Sequence, residues 1–227
     1  MSVASFKDIC IDAGNPALLG PFWGEVLGLT WHTQHQGDGW LTGPTPQHTV
    51  WVNAVPEPKT VKNRVHLDMY AESLEDLEAL GAWVVRPEGD GRRWTVMADP
   101  EGGEFCAFLR PDPPAQRLHG LVVDCADPGA QALWWASLFG EPVTDGGEWF
   151  EIDRPSGAPF TMDFVPVPEP KVVKNRIHWD VTAVDIEPLL DVGATLLRTP
   201  DGRIDWHVLA DPEGNEFCAF PPGDQEA

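Results

Sequence analysis

A chain of 227 residues, 42% of them hydrophobic, is long enough for two ordinary domains, and its 36 acidic against 15 basic side chains give a formal net charge of −21. That balance argues against a nucleic-acid partner, because phosphate binding needs clustered lysine and arginine to release counterions, and it disfavours anionic membranes. No apolar run approaches the roughly 20 residues that span a bilayer, the N-terminus lacks the pattern of a secretory signal, and four cysteines without zinc-finger spacing read as reduced thiols. A cytoplasmic protein is expected.

In chain order, FKDICID (6–12) alternates like a strand, and Asn15-Pro16 offers a helix cap followed by proline at the first helical position. The helix PALLGPFWGEVLG ends at Gly28, a residue suited to a left-handed C-terminal cap. Three β-type segments follow: LTWHTQ, GWLTG and HTVWVNAV. The order then repeats. RVHLDMYA is a strand, SLEDLEALG is a short helix with Ser73 as its cap and Asp76 three residues on, and WVVRP, RRWTVMA and EFCAFL are strands.

Residues 112–116, proline-rich and polar, read as a linker between a domain at 1–111 and another at 117–227. The second domain runs through LHGLVVD, the helix PGAQALWWASLFG and strands near 142, 148 and 160. RIHWDVTA, a short helix near 185–191 and strands near 194, 205 and 216 complete it. The halves are a tandem duplication. VPEPKTVKNRVHLD (55–68) returns as VPEPKVVKNRIHWD (167–180), and ADPEGGEFCAF (98–108) returns as ADPEGNEFCAF (210–220), both at an offset of 112 residues. The fold class is therefore α+β, built from four βαβββ modules in two domains.

Paired βαβββ modules, an Asn/Asp-Pro helix start, an FWxxxLG helix end and a DPEGNEF turn into the last strand resemble the vicinal oxygen chelate superfamily. That group includes glyoxalase I, bleomycin-resistance proteins and extradiol dioxygenases, and the PKxxKNRxHxD segment looks like actinobacterial glyoxalase-like proteins in particular. The resemblance implies two cup-shaped domains whose metal ligands come from the first and last strands of each module. Carried over residue by residue, the first-strand positions are Asp8, His66, Gly120 and His178. The glutamate position of each closing strand is occupied by Cys106 or Cys218, and the usual His/Glu metal set is incomplete in both halves.

No cofactor is favoured on this reading. A divalent metal is possible, with Asp8, His66 and Cys106 as a mixed O/N/S candidate set. Strand alternation puts Arg64, His66 and Asp68 on one face and Arg176, His178 and Asp180 on its counterpart, so His66, His178, Asp68 and Asp180 are the candidate acid–base residues. Pairing of Arg64 with Asp68 is the structural alternative. His119, one residue before a ligand position, is expected to face away from its cup.

Candidate ligand-binding residues are the tryptophans Trp31, Trp40, Trp51, Trp94, Trp149, Trp179 and Trp206, with Glu104, Cys106, Glu216 and Cys218 on the closing strands. Two functions follow from the resemblance. One is a binder that sequesters an aromatic or cationic small molecule, as a bleomycin-resistance protein does. The other is a lyase or isomerase acting on a small oxygenated substrate, with or without metal. The partner is a small molecule in either case, and the assembly is a pseudo-dimeric monomer or a homodimer. Whether cups form within or across the halves is left open.

Overall fold

The structure is a computed structural model that describes residues 2–34 and 37–223. The first module comprises β1 (Ser5–Ala13), α1 (Pro16–Leu27), β2 (Thr30–Thr33), β3 (Gly39–Thr42) and β4 (Val50–Ala54). β5 (Val65–Ala71), α2 (Leu74–Ala79), β6 (Trp83–Arg86), β7 (Thr95–Ala98) and β8 (Glu104–Leu109) form the second. The third holds β9 (Leu118–Cys125), α3 (Pro128–Phe139), β10 (Thr144–Asp145), β11 (Phe150–Ile152) and β12 (Thr161–Pro166). The fourth is β13 (Ile177–Thr182), α4 (Glu187–Asp191), β14 (Thr195–Arg198), β15 (His207–Ala210) and β16 (Glu216–Phe220). The βαβββ order read from hydrophobic periodicity is thus present four times. No helix among the described residues is long and apolar enough to cross a membrane.

Local chemistry explains the element ends. Asp127 accepts a hydrogen bond from Ala130 N at 3.0 Å, and Ser73 accepts one from Asp76 N at 3.1 Å. Asn15 makes no such side-chain bond, and α1 relies there on Pro16, whose φ is preset. Gly28 closes α1 at φ 69°, where a Cβ would lie 1.9 Å from the Ala115 carbonyl oxygen. The linker therefore packs directly against the end of α1, and Arg117 N donates to Leu27 O at 2.9 Å.

Strands pair across the repeat. One eight-stranded sheet runs β14-β15-β16-β13-β1-β4-β3-β2 and the other runs β10-β11-β12-β9-β5-β8-β7-β6. The first module is therefore joined to the fourth, and the second to the third. At each seam two first strands meet antiparallel, β1 with β13 and β5 with β9. Each seam carries a β-bulge, at Lys7 in β1 and at His119 in β9.

One face of each sheet is apolar and covered by a long helix. Ile9, Ile11, Trp179, Val181 and Phe217 lie on this face of the first sheet, and all are buried. Trp135 of α3 meets the Trp179 ring edge-on at 4.8 Å and the Phe217 ring at 4.9 Å. Because successive side chains in a strand alternate faces, residues 8, 10 and 12 and residues 178, 180 and 182 are left to line the other face, the interior of a cup.

Candidate functional site

The first cup is built on β1, β13, β16 and β4. Register pairs Cys10 with His178, Asp8 with Asp180 and Asp180 with Cys218, so these five side chains share one patch. Cys10 Sγ donates to Asp180 Oδ2 at 3.4 Å, His178 Nε2 stands 3.9 Å from Asp180 Oδ1, and Trp51 Nε1 donates to Asp8 Oδ2 at 3.2 Å. The bulge inserts Lys7 into the same patch, with Nζ 2.6 Å from Asp8 Oδ2 and 4.4 Å from the centre of the Phe220 ring.

Burial dominates the charge states here. It lowers His178 to about 4, with Lys174 acting in the same direction, so the imidazole is neutral near pH 7. Burial, and then the charge of Asp8, push Asp180 well above the carboxylate range while Lys7 pulls the other way. Lys7 itself is raised: burial opposes its charge, but the Asp8 carboxylate and its hydrogen bond, helped by Asp180, outweigh that cost. Cys10 and Cys218 are pushed up by burial and by Asp180, and both remain thiols.

The second cup repeats the plan with exchanged parts. His66 Nε2 lies 3.5 Å from Asp68 Oδ1, and Asp68 is in register with Cys106. Gly120 stands where Asp8 stands in the first cup, and Asp163 where Trp51 stands. A Cβ on Gly120 would lie 2.7 Å from Asp163 Oδ2 and 3.1 Å from Thr161 Oγ1. The carboxylate has thus moved from the first strand to the neighbouring last strand, and it occupies the space the glycine leaves open. Thr161 donates to it at 2.6 Å.

Burial lowers His66 to about 3, with Lys62 adding to the effect, and raises Asp163 to about 6, with Glu151 adding to it. Burial also raises Asp68, as does the charge of Asp163. Among the described residues no lysine or arginine pairs with Asp68 or Asp163. His119 occupies the bulge position of Lys7. It faces into the cup, against the expectation from simple alternation, because the extra residue reverses parity at that point. Its ring stacks on Tyr70 at 4.6 Å, and its Nδ1 is 3.1 Å from the tyrosine hydroxyl. Trp94 stacks on Phe108 at 5.6 Å and completes an aromatic row.

His66, Asp68, His178 and Asp180 all line cups, as do Cys106 and Cys218. Trp40 and Trp51 stand 5.7 Å apart in the first cup with His32 stacked on Trp40, and Trp206 stacks on Phe220 at 4.9 Å. Three tryptophans expected in pockets are elsewhere. Trp179 is fully buried on the helix side, one residue out of phase with His178. Trp31 pairs with Leu41 on that same side and covers Gly20 of α1, where a Cβ would meet its ring at 2.5 Å. Trp149 is 39% exposed over the turn at Gly146, and Glu151, the partner of Asp163, takes the place equivalent to Trp40.

Glu104 and Glu216 fasten the connecting segments rather than filling cups. Glu104 accepts from Lys59 and Asn63 N, and Glu216 accepts from Lys171 and Asn175 N. Arg64 does not pair with Asp68. Its guanidinium donates to Glu169 O at 2.5 Å and Asp124 O at 2.8 Å. Lys7, Cys10 and Tyr70 enter the site without having been singled out. Only the strand pairing brings Lys7 and Cys10 to His178, whereas alternation already placed Asp163 on a ligand strand.

The metal set Asp8, His66 and Cys106 does not converge, because Asp8 lies in the first cup and the other two in the second. Two other groups do converge, with ligand atoms within 4.8 Å of one another: His66, Asp68 and Cys106, and Cys10, His178 and Asp180. In the second cup Asp68 Oδ1 is buried without a hydrogen-bond donor, and a neutral imidazole lies beside it. That N/O/S set fits a borderline dication, whose binding would displace the Cys106 thiol proton to solvent and which would supply a Lewis acid there. In the first cup the Lys7 ammonium already neutralises the carboxylates, and a dication fits poorly beside it.

Two sheets, each backed by a long helix and lined on its other face by histidine, carboxylate and thiol, define an α+β protein of paired βαβββ cups of the vicinal oxygen chelate type. The chain belongs to the glyoxalase-like domain family, whose model matches residues 8–108 and again 120–220. Among solved structures it is similar to glyoxalase I from Zea mays (TM-score 0.65, 12% identity, 95% of this chain and 92% of that one). It is also similar to a putative dioxygenase from Bacillus subtilis subsp. subtilis str. 168 (TM-score 0.61, 14% identity, 98% and 87%). A third is the cppA protein from Streptococcus pneumoniae TIGR4 (TM-score 0.55, 13% identity, 96% and 98%). At these identities the likeness speaks to fold. No curated protein matches significantly.

Proposed function

We propose that the protein is a small-molecule binder of the glyoxalase-like type, and that its second cup sequesters a flat organic cation, such as a drug or metabolite. The observation that carries this reading is the pair of buried acids Asp68 and Asp163, which have no lysine or arginine beside them where the first cup has Lys7. Beside the pair stands the row of Trp94, Phe108, Tyr70 and His119. A buried carboxylate without a counter-ion favours a cationic guest, and ring faces stabilise it by about 0.5–2 kcal/mol each. Tryptophan-quenching titrations with ethidium test the reading. Asp163→Asn should weaken binding at least tenfold while Lys7→Gln leaves it within about twofold. Equal affinity in wild type and Asp163→Asn would sink it.

A second reading, a lyase or isomerase, draws on the convergence of His66, Asp68 and Cys106. There His66, neutral at pH 7, accepts a proton from a small oxygenated substrate, or binds a divalent metal with Asp68 and Cys106. His178 is its counterpart in the first cup. Metal analysis of protein purified without chelator or nickel affinity separates the two readings. Stoichiometric zinc, iron or manganese removed by His66→Ala would replace the metal-free binder with this one.

A further inference from the structure

Between the two cups the connectors 55–64 and 167–176 bound a cleft of about 710 Å³. Its lining comes in repeat-related pairs: Asp12 with Asp124, Lys62 with Lys174, Val61 with Val173. His66, Asp68, His178 and Asp180 do not line it. The walls are fixed in place. Arg64 donates to Glu169 O at 2.5 Å and Arg176 to Glu57 O at 2.6 Å, so each connector is clamped by the arginine of the other half. Asp12 N and Asp124 N close the ends with 2.7 Å bonds to Arg176 O and Arg64 O. A preformed cavity of this size is within the range of small-molecule sites.

Charge and polarity in the cleft differ from the rest of the surface. Five basic and four acidic side chains line it, in a chain with 15 basic and 36 acidic residues. Lys59, Arg64 and Arg176 are engaged in part-buried ion pairs and carbonyl hydrogen bonds, which leaves Lys62 and Lys174 as the more accessible cations. Their side chains are 59% and 57% exposed, whereas the carboxylates behind them, Asp124 and Asp12, are 5% and 8% exposed. A guest therefore meets, beside the exposed Glu57 and Glu169 side chains at the lining, two ammonium groups, each with a donor to spare beyond its aspartate and the Asn63 or Asn175 carbonyl. Between them the surface is apolar, with Val61 39%, Val173 42% and Val172 73% exposed.

We propose that this cleft, which adjoins the cups but is lined without their histidines, is a second ligand site that takes an elongated molecule with an apolar middle and a carboxylate at each end. One carboxylate rests on Lys62 and the other on Lys174. The near-symmetry of the lining selects a two-headed ligand, and the exposed lysines select anionic heads.

Calorimetric titration of the full chain with hexanedioate, decanedioate and tetradecanedioate tests this, with decanoate and decane-1,10-diamine as comparators. Saturable binding of at least one dicarboxylate, at least tenfold tighter than decanoate and the diamine, is expected. The double variant Lys62→Gln/Lys174→Gln should lose at least tenfold, and each single variant part of that. Because the double variant leaves two aspartates unpaired, Val172→Asp provides a second arm. Its side chain is mostly exposed, the fold should persist by circular dichroism, and the added charge should weaken dicarboxylate binding at least tenfold. Absence of binding at every length, equal affinity for decanoate or the diamine, or unchanged affinity in Val172→Asp would overturn the proposal.

Discussion

The two cups descend from one unit, yet they neutralise their carboxylates differently. The first holds Asp8 and Asp180 against Lys7, with Trp51 donating to Asp8. The second holds Asp68 and Asp163, replaces Asp8 by Gly120 and Lys7 by His119, and has no cation for its pair. Duplication conserved the number of acids in the patch while changing which strand supplies one of them. A site position in this fold is thus a region of space reachable from two strands, and what distinguishes the cups is the counter-charge and the rings rather than the histidine.

The hardest test is to return the lost aspartate. Gly120→Asp would force a third carboxylate against Asp163 in a buried patch without a cation, and it should destabilise the protein by about 4 kcal/mol in urea unfolding. Adding His119→Lys should recover roughly half, because it restores the first cup's counter-ion. No recovery would mean that steric overlap, not charge, separates the cups.

Next in size is the pH response of the histidines. Burial lowers His66 to about 3 and His178 to about 4, so between those values and about 6.5 the unfolded chain binds protons that the folded chain refuses. Each histidine's contribution is complete above about pH 6.5 and declines as pH falls. At pH 4 wild type should have lost about 3 kcal/mol relative to a His66→Asn variant referenced to pH 7, and about 1 kcal/mol less in the His178→Asn comparison when both are followed to pH 3. Parallel stability curves for wild type and His66→Asn would contradict the buried neutral imidazole.

Removing the first cup's cation comes third. Lys7→Gln should cost about 2 kcal/mol at pH 8. Asp180, already raised, then binds its proton more tightly in the folded state. A group with a raised folded pKa stabilises at low pH and loses that contribution as pH rises, so the deficit should shrink toward pH 5. The helix caps give the smallest contrast. Asp127→Ala removes the 3.0 Å bond to Ala130 N and should cost about 1 kcal/mol, whereas Asn15→Ala, which removes no side-chain cap bond, should cost roughly 0.3 kcal/mol in thermal unfolding.

Much of the site was readable once strand parity was respected. His66 with Asp68 and His178 with Asp180 follow from alternation along β5 and β13. The same rule assigns Trp179 to the face opposite His178, so its burial was legible too. Trp31 was not, because its face depends on which residues of β3 it opposes. Glu104 and Glu216 sit in register with the cup but are drawn away by Lys59 and Lys171, partners 45 residues distant along the chain.

The sequence by itself determined the four βαβββ modules, their caps and turns, and the tandem repeat, because periodicity and capping are local signals carried by neighbouring residues. Only the tertiary structure decided that the first module joins the fourth and the second joins the third. Pairing between distant strands has no local signature, and in a duplicated chain the two choices of partner present nearly identical edges. That pairing put Asp8 with His178 instead of His66. The bulges at the seams, set by strand register, turned Lys7 and His119 inward and gave the two cups their different charges.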